Sequence, residues 1–427
     1  MNITYTISIV IVLAALIAYL NQRFLRLPNT IGVMVISIAI SVVIMLSSNL
    51  VPEFFHDTIV LISSVDFDEI VIGTMLSFLL FAGTIQLRIA DLKSQQLSVI
   101  LFSTISVALS TALVGIMMYG VVLLLNLHVS LLECFLFGAL ISPTDPVSVL
   151  GIIKEARVPK SLEMKIAGES LFNDGVALVI FFSILHAIRN PAAEVTVMSV
   201  AKIFVREALG GLALGILLGF IGLRALKGID HYKVEVMITL AIVMGGYSLA
   251  KSLSISGPLT MVAAGIFIGN YGKSYAMSDI SRDYLDKFWE LIEEILNITL
   301  FVLIGFELLL IKHFDHYWQI GACAIIIVLL ARFVSLAIPA LFIRLKENIS
   351  AKTVVFLTWG GLRGGISIAL ALSLTRGLHR ELFVFITYFV VVFSVIVQGL
   401  SIERLTSRQK RRMLAAEPEK GALTDAS

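Results

Sequence analysis

Long apolar runs leave this chain few folds to choose from. About thirteen stretches have the length and hydropathy of membrane spans. They lie near residues 3–20, 30–50, 70–87, 97–125, 131–153, 166–187, 201–223, 234–250, 257–271, 288–311, 317–343, 353–375 and 381–402. Composition agrees: 58% of the 427 residues are hydrophobic and only 15% are charged, against ~25% charged in a soluble domain. The mean hydropathy is +0.97. The expected fold class is an all-α polytopic membrane protein. A net charge of +2 gives nucleic acid no purchase, and no phosphate-cradling loop is visible. No nucleophile–base pair or metal-ligand cluster appears in a loop, so an enzyme is not expected and neither is a cofactor. Cys134 and Cys323 both fall in apolar runs and are read as buried free thiols.

The first run has no basic residue before it and no small-x-small cleavage site after it, so it is read as a retained helix. An odd number of spans puts the termini on opposite sides. With the N-terminus outside, about 23 of the 32 Lys and Arg residues fall on the inner side, against about 7 on the outer side, among them Arg189, Arg206 and Lys251. The outer segment between the second and third runs is acidic (Glu53, Asp57, Asp66, Asp68, Glu69). The expected arrangement is N-terminus out and C-terminus cytoplasmic. Residues 1–405 form the membrane domain and 406–427 a short polar cytoplasmic tail.

A charge at a span centre costs at least ~2.5 kcal/mol, so intramembrane charges mark pathways or partners. Five stand out: Asp145, Glu169, Asp174, Arg332 and Arg363. Asp145 lies in Ser142-Pro143-Thr144-Asp145-Pro146, whose two prolines cannot continue a helix. Freed backbone at that depth survives only inside protein or beside a water-filled cavity. An unwound carbonyl such as that of Thr144 can bind a cation, and Asp145 can compensate the positive end of a half-helix. In Trp359-Gly360-Gly361-Leu362-Arg363-Gly364-Gly365, four glycines surround Arg363, which can neutralise a negative helix end. Two interrupted spans, one in each half of the chain, are the pattern of inverted repeats around a midplane site.

The run 166–187 opens with Ala167-Gly168-Glu169-Ser170-Leu171-Phe172-Asn173-Asp174-Gly175. Residues four apart share a helix face, so Ser170 and Asp174 lie on one face and Glu169 and Asn173 on its neighbour. Hard oxygens of this kind suit sodium. Asp174, removed from water, can hold either a proton or a cation. Arg332 is a plausible partner for Glu169, since pairing lowers the penalty of a buried charge. The residues alone leave other readings open: a lone Asp that only caps a helix break, or arginines that snorkel to an interface. Gly211, Gly215 and Gly219 recur at helical spacing and mark close helix packing. The seven histidines read as loop-end residues, and the aromatic stripe of 381–402 as lipid-facing.

Four motifs in chain order, Ser142-Pro143-Thr144-Asp145-Pro146-Val147, Gly168-Glu169-Ser170-Leu171-Phe172-Asn173-Asp174-Gly175, Ala331-Arg332-Phe333 and Trp359-Gly360-Gly361-Leu362-Arg363-Gly364-Gly365, together resemble those of the monovalent cation:proton antiporters, the sodium/hydrogen exchanger family. The resemblance covers nearly all of residues 1–405. It implies a homodimer of thirteen-helix subunits. Each subunit is split into a dimerisation part and a six-helix core holding two crossed, unwound helices. It implies exchange of Na+ or Li+ for H+ across the bacterial inner membrane by alternating access, with Asp174 as the shared carboxylate. Ser170 and Thr144 would coordinate the ion and Asn173 support it. Glu169 and Arg332 would form a structural ion pair, and Asp145 and Arg363 would balance the unwound helix ends. Asn-Asp at 173–174 resembles the electroneutral members. Ala82 departs from the family where many relatives carry an acidic residue. Two alternatives stay open on sequence: a K+/H+ exchanger on the same scaffold, and a non-transporting sensor or channel.

Overall fold

The computed structural model describes residues 3–48, 52–53, 58–60, 75–93, 95–145, 160–189, 197–310, 314–343 and 350–402. Most of the acidic segment after residue 48, the residues that follow Asp145, and the tail from 403 onward lie outside these. Among the described residues every regular element is helical, and each of the thirteen apolar runs overlaps a helix. The main helices are α1 (Ile3–Leu20), α2 (Asn29–Leu46), α3 (Leu76–Ile85), α4 (Gln96–Ser103) and α5 (Ile105–Leu124). They continue with α6 (Leu131–Ile141), α7 (Lys160–Arg189), α8 (Val197–Lys227), α9 (Tyr232–Ser252) and α10 (Gly257–Phe267). The last are α11 (Asp279–Glu307), α12 (Phe314–Ile343), α13 (Ala351–Trp359), α14 (Gly365–Leu372) and α15 (Arg380–Phe393). A single π-helical turn, Ser394–Gln398, extends α15.

Eight of these stretches are long and apolar enough to cross a bilayer unaided. Their burial is uneven. The span on α7 is 67% buried and the one on α15 is 72% buried, against 33% for those on α8 and α9 and 22% for the first span. The helix bearing Ser170 and Asp174 therefore lies at the centre of the bundle, and α1, α8 and α9 present apolar faces outward, as lipid requires.

Small residues set how closely the helices approach. A Cβ on Gly215 of α8 would sit 2.4 Å from the Thr260 carbonyl oxygen of α10, and one on Gly219 would sit 2.7 Å from Phe267. The opposite flank of α10 meets α3, where a Cβ on Gly265 would lie 2.1 Å from Thr84 Oγ1. The glycine row at 211, 215 and 219 thus seats α8 on α10 within one chain. Gly138 of α6 makes the same kind of approach to the Thr111 carbonyl of α5. Gly215→Val is therefore expected to destabilise the protein by about 1–3 kcal/mol, because the obstructing atom is backbone. Gly245→Ala, at a position with nothing within 4 Å, should be silent. Thermal midpoints of the two variants in detergent check this.

Two expectations need correction. The aromatic residues of α15 do not face lipid: Phe383, Phe385 and Tyr388 are buried. Phe383 stacks on Phe137 of α6 with centroids 5.7 Å apart, and Phe385 meets Tyr317 of α12 at 5.9 Å. Because α15 packs between α12 and α14, its large rings fill the interior. Cys134 is buried as expected, but Cys323 is exposed on the outward side of α12.

Candidate functional site

The site is built where two interrupted helices meet the middle of α7. Helix α6 starts with a capping box in which Ser130 and Glu133 satisfy each other's backbone, and it ends at Ile141. Residues 142–145 are non-helical. Pro143 has no amide to donate, and Pro146 lies outside the described residues. The second interruption is complete: α13 stops at Trp359, Gly360–Gly364 are non-helical, and α14 resumes at Gly365.

Unwound backbone inside a bundle needs partners, and here each break supplies the other. The Asp145 amide donates to the Leu362 carbonyl at 2.8 Å. Arg363 Nη1 donates to the Ser142 and Pro143 carbonyls at 2.5 and 3.1 Å. The guanidinium thus neutralises the carbonyl end of α6, the partner helix, rather than the end of its own. A Cβ on Gly364 would lie 2.7 Å from Asp145 Cβ, so only glycine lets the two breaks cross this closely. The π-helical turn after α15 holds the second break from behind. Ser394 Oγ accepts the Arg363 amide at 2.9 Å and donates to Gln398 Oε1 at 2.6 Å, and Gln398 Nε2 donates to the Trp359 carbonyl at 3.1 Å.

Helix α7 brings the remaining groups. Thr144 Oγ1 and Ser170 Oγ are 3.0 Å apart. Both amide hydrogens of Asn173 are used: Nδ2 donates to Thr144 Oγ1 at 2.6 Å and to Glu169 Oε1 at 2.9 Å. Arg332 of α12 donates to Glu169 Oε2 at 2.7 Å, and both side chains are almost fully buried. A continuous chain of contacts therefore runs from Arg332 through Glu169 and Asn173 to Thr144. Asp174 is buried, 3% exposed, and its Oδ1 has no hydrogen-bond partner among the described residues. The structure thus brings Thr144, Glu169, Ser170, Asn173 and Arg332 into one bonded cluster, with Asp174 one turn beyond Ser170. Asp145 and Arg363 join it through the crossed backbone. Ala82, by contrast, is fully buried in α3.

A cavity of about 500 Å3 leads to Asp174. Thr144, Asp145 and Asp174 line its inner end, and Glu163, Glu290, Glu293 and Glu294 line its approach, with Arg88 a basic residue among them. On α11, Glu290, Glu293, Glu294 and Asn297 recur at three- and four-residue spacing, which aligns them along one helix face. Reading the run 288–311 as a plain span overlooked this stripe, although polar residues at helical spacing in an apolar run were the signal for it. Ser394 and Gln398, polar residues four apart in the last span, were missed for the same reason.

The sodium/hydrogen exchanger transmembrane family model matches residues 11–408. The chain belongs to that family. Among the curated relatives of this exchanger-family chain, the Na(+)/H(+) antiporter NhaP of Pseudomonas aeruginosa is 44% identical over 413 residues, covering 96% of each chain. The Na(+)/H(+) antiporter NhaH of Halobacillus dabanensis is 32% identical over 347 residues, covering 80% of this chain and 83% of that one. The sodium proton antiporter MjNhaP1 from Methanocaldococcus jannaschii, solved at pH 8, superposes with a TM-score of 0.72 at 20% identity, over 95% of this chain and 97% of that one. That likeness shows the fold, and the family model with the curated relatives makes the chain a multi-pass membrane protein.

Proposed function

We propose that this protein exchanges Na+ (or Li+) for H+ across the bacterial inner membrane, one for one, with Asp174 as the group that holds either ion. The observation that carries this reading is a buried carboxylate at the closed end of an acid-lined cavity, one of whose oxygens has no protein hydrogen-bond partner among the described residues. That oxygen is left for something that arrives from the cavity. A proton and a sodium ion both do so, and binding one excludes the other. The hydroxyls of Thr144 and Ser170 and the unwound carbonyls nearby supply further hard oxygens for the cation. The two curated antiporters named above match this chain over 96% and 83% of their own length, which supports the assignment of substrates.

In this reading Asn173 is a neutral strut. With both hydrogens spent on Thr144 and Glu169, it fixes the site without adding a titrating group. One carboxylate then carries one charge in either direction. Both loaded states have the same net charge, so the moving part crosses the low-dielectric barrier without work against the membrane potential. Glu169 with Arg332 holds the frame, and Arg363 with Asp145 balances the crossed helix ends. The described cavity opens on the side of Arg88, Glu163 and Glu290, which the charge count places in the cytoplasm. This is the inward-open form of an alternating-access cycle, in which a core shifts against a dimerisation part of a homodimer. Domain limits of 1–405 for the membrane unit and 406–427 for the tail belong to the same reading.

The experiment is a proton-flux assay in everted vesicles with sodium, lithium and potassium across pH, repeated with the potential clamped. Na+-dependent flux is expected to be independent of the clamped potential and to stop when the cation and proton concentration ratios are equal. A stopping point that moves with voltage would rule out one-for-one exchange. Flux with potassium and none with sodium would favour the K+/H+ exchanger.

A further inference from the structure

One face of α7 lines two cavities in succession. Glu163, Ala167, Leu171 and Asp174 face the acidic cavity already described. Continuing at the same three- and four-residue spacing, Leu178, Phe182, Leu185 and Arg189 face a second cavity of about 660 Å3. Arg206 of α8, Lys251 of α9, Ile255 just before α10 and Pro258 in its first turn help to line it. Between the two, Gly175 of α7 is pressed against Leu259 of α10: a Cβ there would lie 2.4 Å from Leu259 Cδ2. Leu178, Val179 and Leu259 are all buried. Asp174 is therefore separated from the second cavity by a barrier built around one leucine on one glycine.

The charges of the two cavities are opposite. Four carboxylates approach Asp174 from the first side. Among the described residues the second is rimmed by Arg189, Arg206 and Lys251, all exposed, with Glu207 as its acidic residue. Outer-side lysines and arginines are scarce in this chain, about 7 by the charge count, yet three of them converge here. The bilayer favours keeping such residues on the other side, so their concentration around one cavity needs a reason other than topology.

We propose that the second cavity is the outer vestibule of the transport path, and that its basic rim lowers the affinity for sodium approaching from outside. The inference rests on the antiport reading and adds a direction to it. An acid-lined mouth concentrates cations and a base-lined one depletes them, by factors of ten or more in local concentration. Sodium is collected on one side and, once released on the other, is kept from rebinding. The final equilibrium is untouched. What changes is the concentration at which each face saturates.

The test compares sodium dependence from the two faces, using everted and right-side-out vesicles containing the full-length protein at low ionic strength. The apparent KM for Na+ is expected to be about tenfold higher on the Arg206 face. Replacing Arg206→Gln together with Lys251→Gln should lower that outer KM by about three- to tenfold, leave the inner KM within about twofold, and lose its effect when choline chloride shortens the Debye length. Equal KM values on the two faces of the unmodified protein, or an outer KM that ignores the double replacement, would overturn the proposal. Absence of any Na+-dependent proton flux in the unmodified protein would overturn the antiport reading itself. Independently of that double replacement, Phe182→Cys in a Cys134→Ala/Cys323→Ala background should react with a membrane-impermeant maleimide added from the Arg206 face. No labelling from that face would show that the cavity is not a water-filled vestibule.

Discussion

Asp174→Asn is expected to reduce Na+-dependent proton flux to the level of empty vesicles while leaving the protein as stable as before, or more so. The two halves of this result have separate causes. Exchange needs a group whose charge is cancelled by either of two competing ions. An amide binds a proton to no useful extent and offers a cation only a neutral oxygen. The neighbouring Glu169 does not stand ready to substitute, since both its oxygens are committed, one to Arg332 and one to Asn173. Stability should hold because Asp174 Oδ1 makes no hydrogen bond among the described residues. Asparagine has the same shape, and it removes a charge whose desolvation the fold must otherwise bear. Flux in everted vesicles and the thermal midpoint of the purified variant read the two effects separately. Residual exchange within about tenfold of the unmodified protein would mean the shared carboxylate is elsewhere, because losing the charge of an ion site should cost several powers of ten in rate.

How much of this was legible in the sequence differs by level. The helices were, because a run of about twenty apolar residues in lipid has no other local solution. The breaks at Pro143 and at Gly360–Gly364 were also legible, since proline and clustered glycine act on the backbone of their own segment. What could not be read was which break serves the other. Arg363 reaches the carbonyls of Ser142 and Pro143, over two hundred residues away, and nothing in the periodicity of either segment encodes that contact. The pairing of Glu169 with Arg332 was open on residues alone for the same reason. The stripe on α11 was missed because hydropathy averages over a window: Glu290, Glu293 and Glu294 were taken into the span 288–311 rather than read as a face. The aromatic rings of α15 were misplaced because an apolar side chain is equally at home in lipid and in a bundle core. Only packing partners decide, here Phe137 and Tyr317.

The ion pair yields the other large effect, and its sign depends on how many partners are removed. Glu169 and Arg332 are almost wholly buried, at 2.7 Å. Glu169→Gln keeps an oxygen for Asn173 but leaves the guanidinium inside the bundle without its ion-pair partner. Arg332→Met keeps much of the volume beneath Gly361 but leaves the carboxylate alone. Each single change is expected to destabilise the protein by about 3–5 kcal/mol, the penalty of an uncompensated buried charge. The combined Glu169→Gln/Arg332→Met variant removes both charges, so it should be more stable than either single variant and close to the unmodified protein. Since a glutamine oxygen still accepts from Asn173, Thr144 keeps its place beside Ser170, and exchange should return with stability. A thermal double-mutant cycle with a flux measurement on each variant checks both readouts. If the combined variant proves no more stable than the worse single one, the two side chains act independently, and the frame behind Thr144 and Asp174 must be held by other contacts.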